Sequence, residues 1–208
     1  MRILFQGDSI TDAQRLRDTE AVGGYMGCGY PTLVAGKLAY ENPGKYEFLN
    51  RGISGNRIVD LYARLKFDLI NLKPDVLSIL IGVNDVWHEF GHQNGVETNR
   101  FERLYNILIE DVKAALPDIK IMILEPFVLP GNANEGVYGK FLAEVKEKAA
   151  AAKRVAEKNG LVFVPLQEKM EKLAEVAGPD KVLADGVHPL AAGHELIKRA
   201  WLEGFDKL

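Results

Sequence analysis

The run Val76-Leu77-Ser78-Ile79-Leu80-Ile81 (VLSILI), closed by Gly82-Val83-Asn84-Asp85, decides how the rest of the chain is read. It is too short for a helix and almost continuously apolar, so it reads as a buried strand that ends in a polar loop. Four other stretches read the same way: residues 2–6 (RILFQ), 46–50 (YEFLN), 120–124 (KIMIL) and 161–165 (LVFVP). Helical patterns separate them, over residues 30–40, 56–72, 98–116 and 137–159. In the third, Leu104, Ile107, Leu108 and Val112 recur at helical spacing, and Asn159-Gly160 makes a C-cap for the fourth. Residues 189–201 read as a last helix with Pro189 in its first turn. Strands alternating with helices imply a parallel sheet covered on both faces, with right-handed crossovers.

Composition bounds the possibilities without choosing a function. The 208 residues are 47% hydrophobic and 26% charged, which excludes wholesale disorder and suits one domain spanning residues 1–208. The formal net charge is −3, and Lys and Arg are scattered rather than striped, which argues against a nucleic-acid partner. A single cysteine, Cys28, cannot form a disulfide within the chain. No apolar run approaches the ~20 residues of a bilayer span, so no membrane partner is expected. Residues 1–5 (MRILF) reach Gly7 and Asp8 before an apolar stretch of secretory length accumulates, and a cytoplasmic location is the expectation.

In doubly wound sheets, ligands bind beyond the carboxyl ends of the strands. Chemistry is therefore sought in Gly7 to Asp12, Arg51 to Arg57, Gly82 to His88, the Glu125-Pro126 turn, and the polar segment Asp185-Gly186-Val187-His188-Pro189. Ser9 follows the first strand, where a turn can expose its hydroxyl. A serine hydroxyl is a weak nucleophile until a base takes its proton, and that base needs a carboxylate to fix its tautomer. Asp185 and His188, three residues apart on one loop, suit those two roles. Acyl transfer also needs donors aimed at an oxyanion. The Gly52-Ile53-Ser54-Gly55-Asn56 loop offers backbone N–H groups, and Asn84 offers a side-chain amide. Taken singly, each segment is also an ordinary turn or helix cap.

Taken together and in order, Gly7-Asp8-Ser9-Ile10-Thr11, the Gly55 loop, Gly82-Val83-Asn84-Asp85 and Asp185-Gly186-Val187-His188-Pro189 resemble the four blocks of the SGNH-hydrolase (GDSL esterase) superfamily. The resemblance implies an α/β, three-layer flavodoxin-like fold with a five-stranded parallel sheet. It also implies Ser9 as nucleophile, His188 as base and Asp185 as its orienter. The oxyanion hole would comprise the Ser9 and Gly55 N–H groups and the Asn84 amide. No cofactor or metal is implied. The phrases around Cys28, Gly55 and Trp87 look most like the intracellular carbohydrate acetylesterase branch, whose members often form homo-oligomers. The expected partner is thus a small acylated molecule, an acetylated sugar such as a xylo-oligosaccharide, with Asp8 and Trp87 contacting it. A lipid or thioester acylhydrolase on the same scaffold is the alternative.

Competing features are weaker. His88-Glu89-Phe90-Gly91-His92 matches the H-E-x-x-H string of zinc peptidases, which requires both histidines on one helical face. Gly91, followed by Gln93-Asn94-Gly95, argues against a helix there. Cys28 is a second candidate nucleophile in a glycine-rich loop, and His194 is expected to serve packing or surface. A non-catalytic flavodoxin-like binding module is permitted by the fold, but no phosphate-binding loop supports it.

Overall fold

The computed structural model describes residues 1–17 and 25–208. Five strands, β1 (Arg2–Gly7), β2 (Glu47–Asn50), β3 (Val76–Leu80), β4 (Lys120–Leu124) and β5 (Val162–Val164), form one sheet in the order β2-β1-β3-β4-β5. Every pairing is parallel. Along the chain come α1 (Ser9–Asp12), α2 (Tyr30–Glu41), α3 (Ile58–Ala63), α4 (Leu65–Asp68), α5 (Val83–His92) and α6 (Thr98–Ala115). They are followed by α7 (Tyr138–Asn159), α8 (Gln167–Ala177), α9 (Pro179–Val182) and α10 (Ala191–Phe205).

The alternation of strand side chains sorts the core into two layers. Ile3, Phe5, Leu80, Met122 and Leu124 pack with Val34 of α2 and with Ile197 and Trp201 of α10. Leu4, Leu77, Ile79, Ile121 and Ile123 face the other way, against Leu61 of α3, Leu108 and Ile109 of α6, and Val155 of α7. Both faces of the sheet are thus covered, as the unbroken apolar strands require. The strand order reverses direction between β1 and β3, which is where such a sheet opens a crevice at its carboxyl edge.

Several expected boundaries are corrected. The helix expected over residues 56–72 is broken at Arg64 into α3, α4 and a single 3₁₀ turn, Ile70–Leu72. The Arg64 side chain turns inward to donate to Gly7 O, Arg51 O and Asp68 Oδ2, reaching the carbonyl at the end of β1 and the one just past β2. Pro189 lies outside the last helix, which starts at Ala191. It instead pairs with Leu183 in an isolated antiparallel bridge that closes the 184–188 loop. The segment from Val83 to His92, expected as a loop, is a helix. Gly91 costs about 1 kcal/mol relative to alanine there. Burial of Val83 and Val86 and packing of Trp87 and Phe90 on Phe141 of α7 outweigh that cost. Helices α8 and α9, unassigned in the sequence, follow Pro165. The Glu125 carboxylate caps α8 by accepting from Leu166 N and Gln167 N at 2.6 and 2.9 Å, so the Glu125-Pro126 turn serves structure rather than the cleft.

Candidate active site

Ser9 follows β1 as the first residue of α1, with Asp8 as the N-cap. Its Oγ lies 2.9 Å from His188 Nε2, and His188 Nδ1 lies 2.7 Å from Asp185 Oδ2. The other oxygen, Asp185 Oδ1, accepts from Val187 N and His188 N at 2.9 and 2.8 Å. Partial burial opposes ionisation of Asp185. The hydrogen bonds from the His188 backbone and ring and from Val187 outweigh it, so the carboxyl is held below its ordinary value. A carboxylate ionised in this way fixes the proton on His188 Nδ1 and leaves the Nε2 lone pair facing Ser9. The loop is pinned by Ala184 N donating to His188 O and by Leu190 N donating to Val182 O.

Around Ser9 lie donors with no acceptor. Among the described residues, neither Ser9 N–H nor Gly55 N–H is hydrogen-bonded. Gly55 has φ +82°, and a Cβ placed on it would meet nothing within 4 Å, so this backbone opens onto free space. Gly52 differs: a Cβ there would collide with the Asp12 backbone, so its role is close packing. Asn84, in the first turn of α5, gives one amide proton to Asn56 O at 3.1 Å and keeps the other. Its neighbour Asp85 accepts from Ile58 N at 3.1 Å, and Asp12 Oδ2 accepts from Ser54 N at 2.9 Å. These contacts tie the Gly55 loop to α5 on one side and α1 on the other.

Ser9, Gly55, Asn84, Trp87 and His188 line one cleft of about 400 Å³ with Ser54, His88, Gly91 and His92. A smaller hollow of about 270 Å³ opens on the other side of Ser9 and His188, beside Cys28 and His194. Larger hollows elsewhere, about 490 and 500 Å³, lack any nucleophile–base pair. The structure therefore brings Ser9, Gly55, Asn84, Trp87, Asp185 and His188 together. It does not bring Asp8 to the cleft: Asp8 is 1% exposed and spends Oδ1 on Ile10 N at 3.0 Å, which corrects its expected contact with substrate. Trp87 faces the cleft but also packs on Phe141 and lies 5.7 Å from the His188 ring.

Sequence reasoning missed Ser54 and the place of His92 on the cleft, whereas His194 packs as expected. Ser54 lines both hollows, and only its place before Gly55 could have drawn notice. His194 is buried, and its Nδ1 accepts from Tyr30 N at 3.2 Å. Burial, with His188 nearby, lowers its pKa to about 4, so it is neutral near pH 7. The string His88 to His92 is helical after all, with both rings on the cleft. Cys28 is exposed and donates to Ala13 O. Among the described residues no helix is long and apolar enough to cross a membrane.

A hydroxyl, an imidazole and a carboxylate in one relay, at the switch point of a parallel sheet and beside free N–H donors, define a site suited to nucleophilic hydrolysis. Residues 5–196 match the GDSL-like lipase/acylhydrolase family, and the chain belongs to that family; it is a carboxylic ester hydrolase. It is 34% identical to an acetylxylan esterase of Geobacillus stearothermophilus, over 99% of this chain and 94% of that protein. A crystal structure of the acetylxylan esterase from that organism superposes with a TM-score of 0.86 at 33% identity, covering 98% of this chain and 93% of that one. A GDSL-like protein from Parabacteroides merdae superposes with a TM-score of 0.93 at 35% identity, covering 99% of this chain and 95% of that one.

Proposed function

We propose that the chain is a serine esterase that removes short acyl groups, acetyl foremost, from sugars such as xylo-oligosaccharides through an acyl-enzyme on Ser9. The observation that carries this reading is the relay Asp185–His188–Ser9 opening on the cleft that holds Gly55 and Asn84. His188 Nε2 takes the hydroxyl proton as Ser9 Oγ attacks the ester carbonyl carbon. The negative charge that builds on the carbonyl oxygen is met by Ser9 N–H, Gly55 N–H and the remaining Asn84 amide proton. Such donors are worth about 3 kcal/mol each because they are already aligned before charge develops. His188 then gives its proton to the departing alcohol oxygen, leaving the acyl group on Ser9. Water, deprotonated by His188, attacks that ester. Collapse returns the proton to Ser9 and releases the acid.

Asp185 stabilises the imidazolium in each half-reaction without itself taking the proton. The sugar preference is supported by the acetylxylan esterase relatives and by Trp87, whose ring stands beside His188 where the leaving sugar would stack. The test is a series of p-nitrophenyl esters from acetyl to octanoyl, run beside acetylated xylo-oligosaccharides. The expected result is highest kcat/KM for acetyl and release of acetate from the oligosaccharides. Preference for octanoyl, with no acetate released, would contradict the reading.

A further inference from the structure

Helix α5 carries a second chemical feature on its cleft side. His88 and His92 are one helical turn apart, with ring centroids 6.3 Å apart and planes at 78°. Both line the cleft that holds Ser9. Among the described residues neither ring takes part in a hydrogen bond, so the nitrogen lone pairs of both remain available. The Arg57 guanidinium opposes a nearby cation, yet it is held by Asp60 and Asn94. His92 sits in the last turn of α5, where the carbonyl end of the helix favours positive charge.

We propose that His88 and His92 chelate a divalent first-row transition ion, such as zinc, nickel or copper, at the cleft mouth, and that the bound ion excludes substrate. Imidazole nitrogens select these ions over calcium or magnesium. With metal–nitrogen bonds of about 2.0–2.1 Å and tetrahedral angles, the ring centroids would sit about 5 Å apart. The observed 6.3 Å is about 1 Å wider, and His92 is exposed, so its side chain has room to change rotamer towards His88. Glu89, the acidic member of the string, accepts from Gly95 N at 3.0 Å. No cluster of three potential ligands gathers among the described residues. The pair therefore acts as an inhibitory chelate with water completing the coordination, and it supplies no catalytic metal centre.

Ion binding stands independently of the proposed esterase mechanism, and only the loss of turnover rests on it. The test titrates zinc chloride and nickel chloride into the full chain by calorimetry, with p-nitrophenyl acetate turnover followed at the same concentrations. One ion per chain is expected, with binding at least tenfold weaker in His92→Ala and in His88→Ala. Inhibition should be reversed by EDTA and should need at least tenfold more metal in His92→Ala. Absence of binding up to millimolar metal would overturn the proposal. So would binding of unchanged strength in both variants, or binding that leaves turnover intact. If the chain hydrolyses no ester at all, the esterase reading fails while the calorimetry still reports on the histidine pair.

Discussion

Asp8 lies directly before Ser9 and carries a strongly displaced carboxyl equilibrium. Burial raises its pKa to about 7, against the pull of the Ile10 N–H and of His188. An unfolded aspartate loses its proton near 3.9. Between that value and 7 the folded chain therefore holds a proton that the unfolded chain has lost. Stability from this group consequently falls as pH rises through the window, and the full cost is present above pH 7. Asp8→Asn keeps the N-cap and removes the titration. Relative to the parent protein, the variant should gain on the order of 2–4 kcal/mol between pH 4 and pH 8. Urea unfolding at the two pH values measures this. A stability difference that stays flat with pH would show that Asp8 titrates normally. The sequence reading gives Asp8 a contact with substrate. Neighbours along a strand-to-helix turn point in different directions, and only the three-dimensional turn shows that this carboxyl points inward.

At the scale of elements, α5 does more than its sequence promised. Its first turn places Asn84 at the cleft, its middle packs on α7, and its last turn carries His92. Because Asn84 donates only to Asn56 O, removing its amide leaves the apolar face of the helix intact. Asn84→Ala should lower kcat by roughly 10² to 10³ with little change in circular dichroism or Tm. Turnover equal to that of the parent protein would remove Asn84 from the proposed oxyanion site. The strands were legible because short apolar runs have few alternatives: β4 was placed to the residue, and β1 and β3 within one. Helix α5 was not legible, because Gly91 argues locally for a loop while the decisive burial against Phe141 comes from residues some fifty positions away. Similarly, the helix breaks at Arg64, whose side chain reaches carbonyls at the end of β1 and just past β2 that no local pattern reveals.

Over the whole molecule, one sheet collects chemistry from both ends of the chain. Ser9 comes from β1, the Gly55 loop from β2 and Asn84 from β3, while Asp185 and His188 lie on a loop clamped between α9 and α10. The order β2-β1-β3 places the first three side by side, and the doubly wound topology converts separated motifs into one cleft. That much of the site could be read from the sequence, because each residue type sat at a predicted strand end or polar loop. The depth of burial at Asp8 and the helical register of His88 and His92 could not be read there, since both depend on packing between elements. The central claim is that Ser9 carries the acyl group. The most direct measurement is labelling with a fluorophosphonate, followed by peptide mapping and parallel assay of ester hydrolysis. The expected result is one adduct, on Ser9, formed in step with loss of activity and absent in Ser9→Ala. An adduct on Cys28, or full labelling of Ser9 with hydrolysis undiminished, would contradict it.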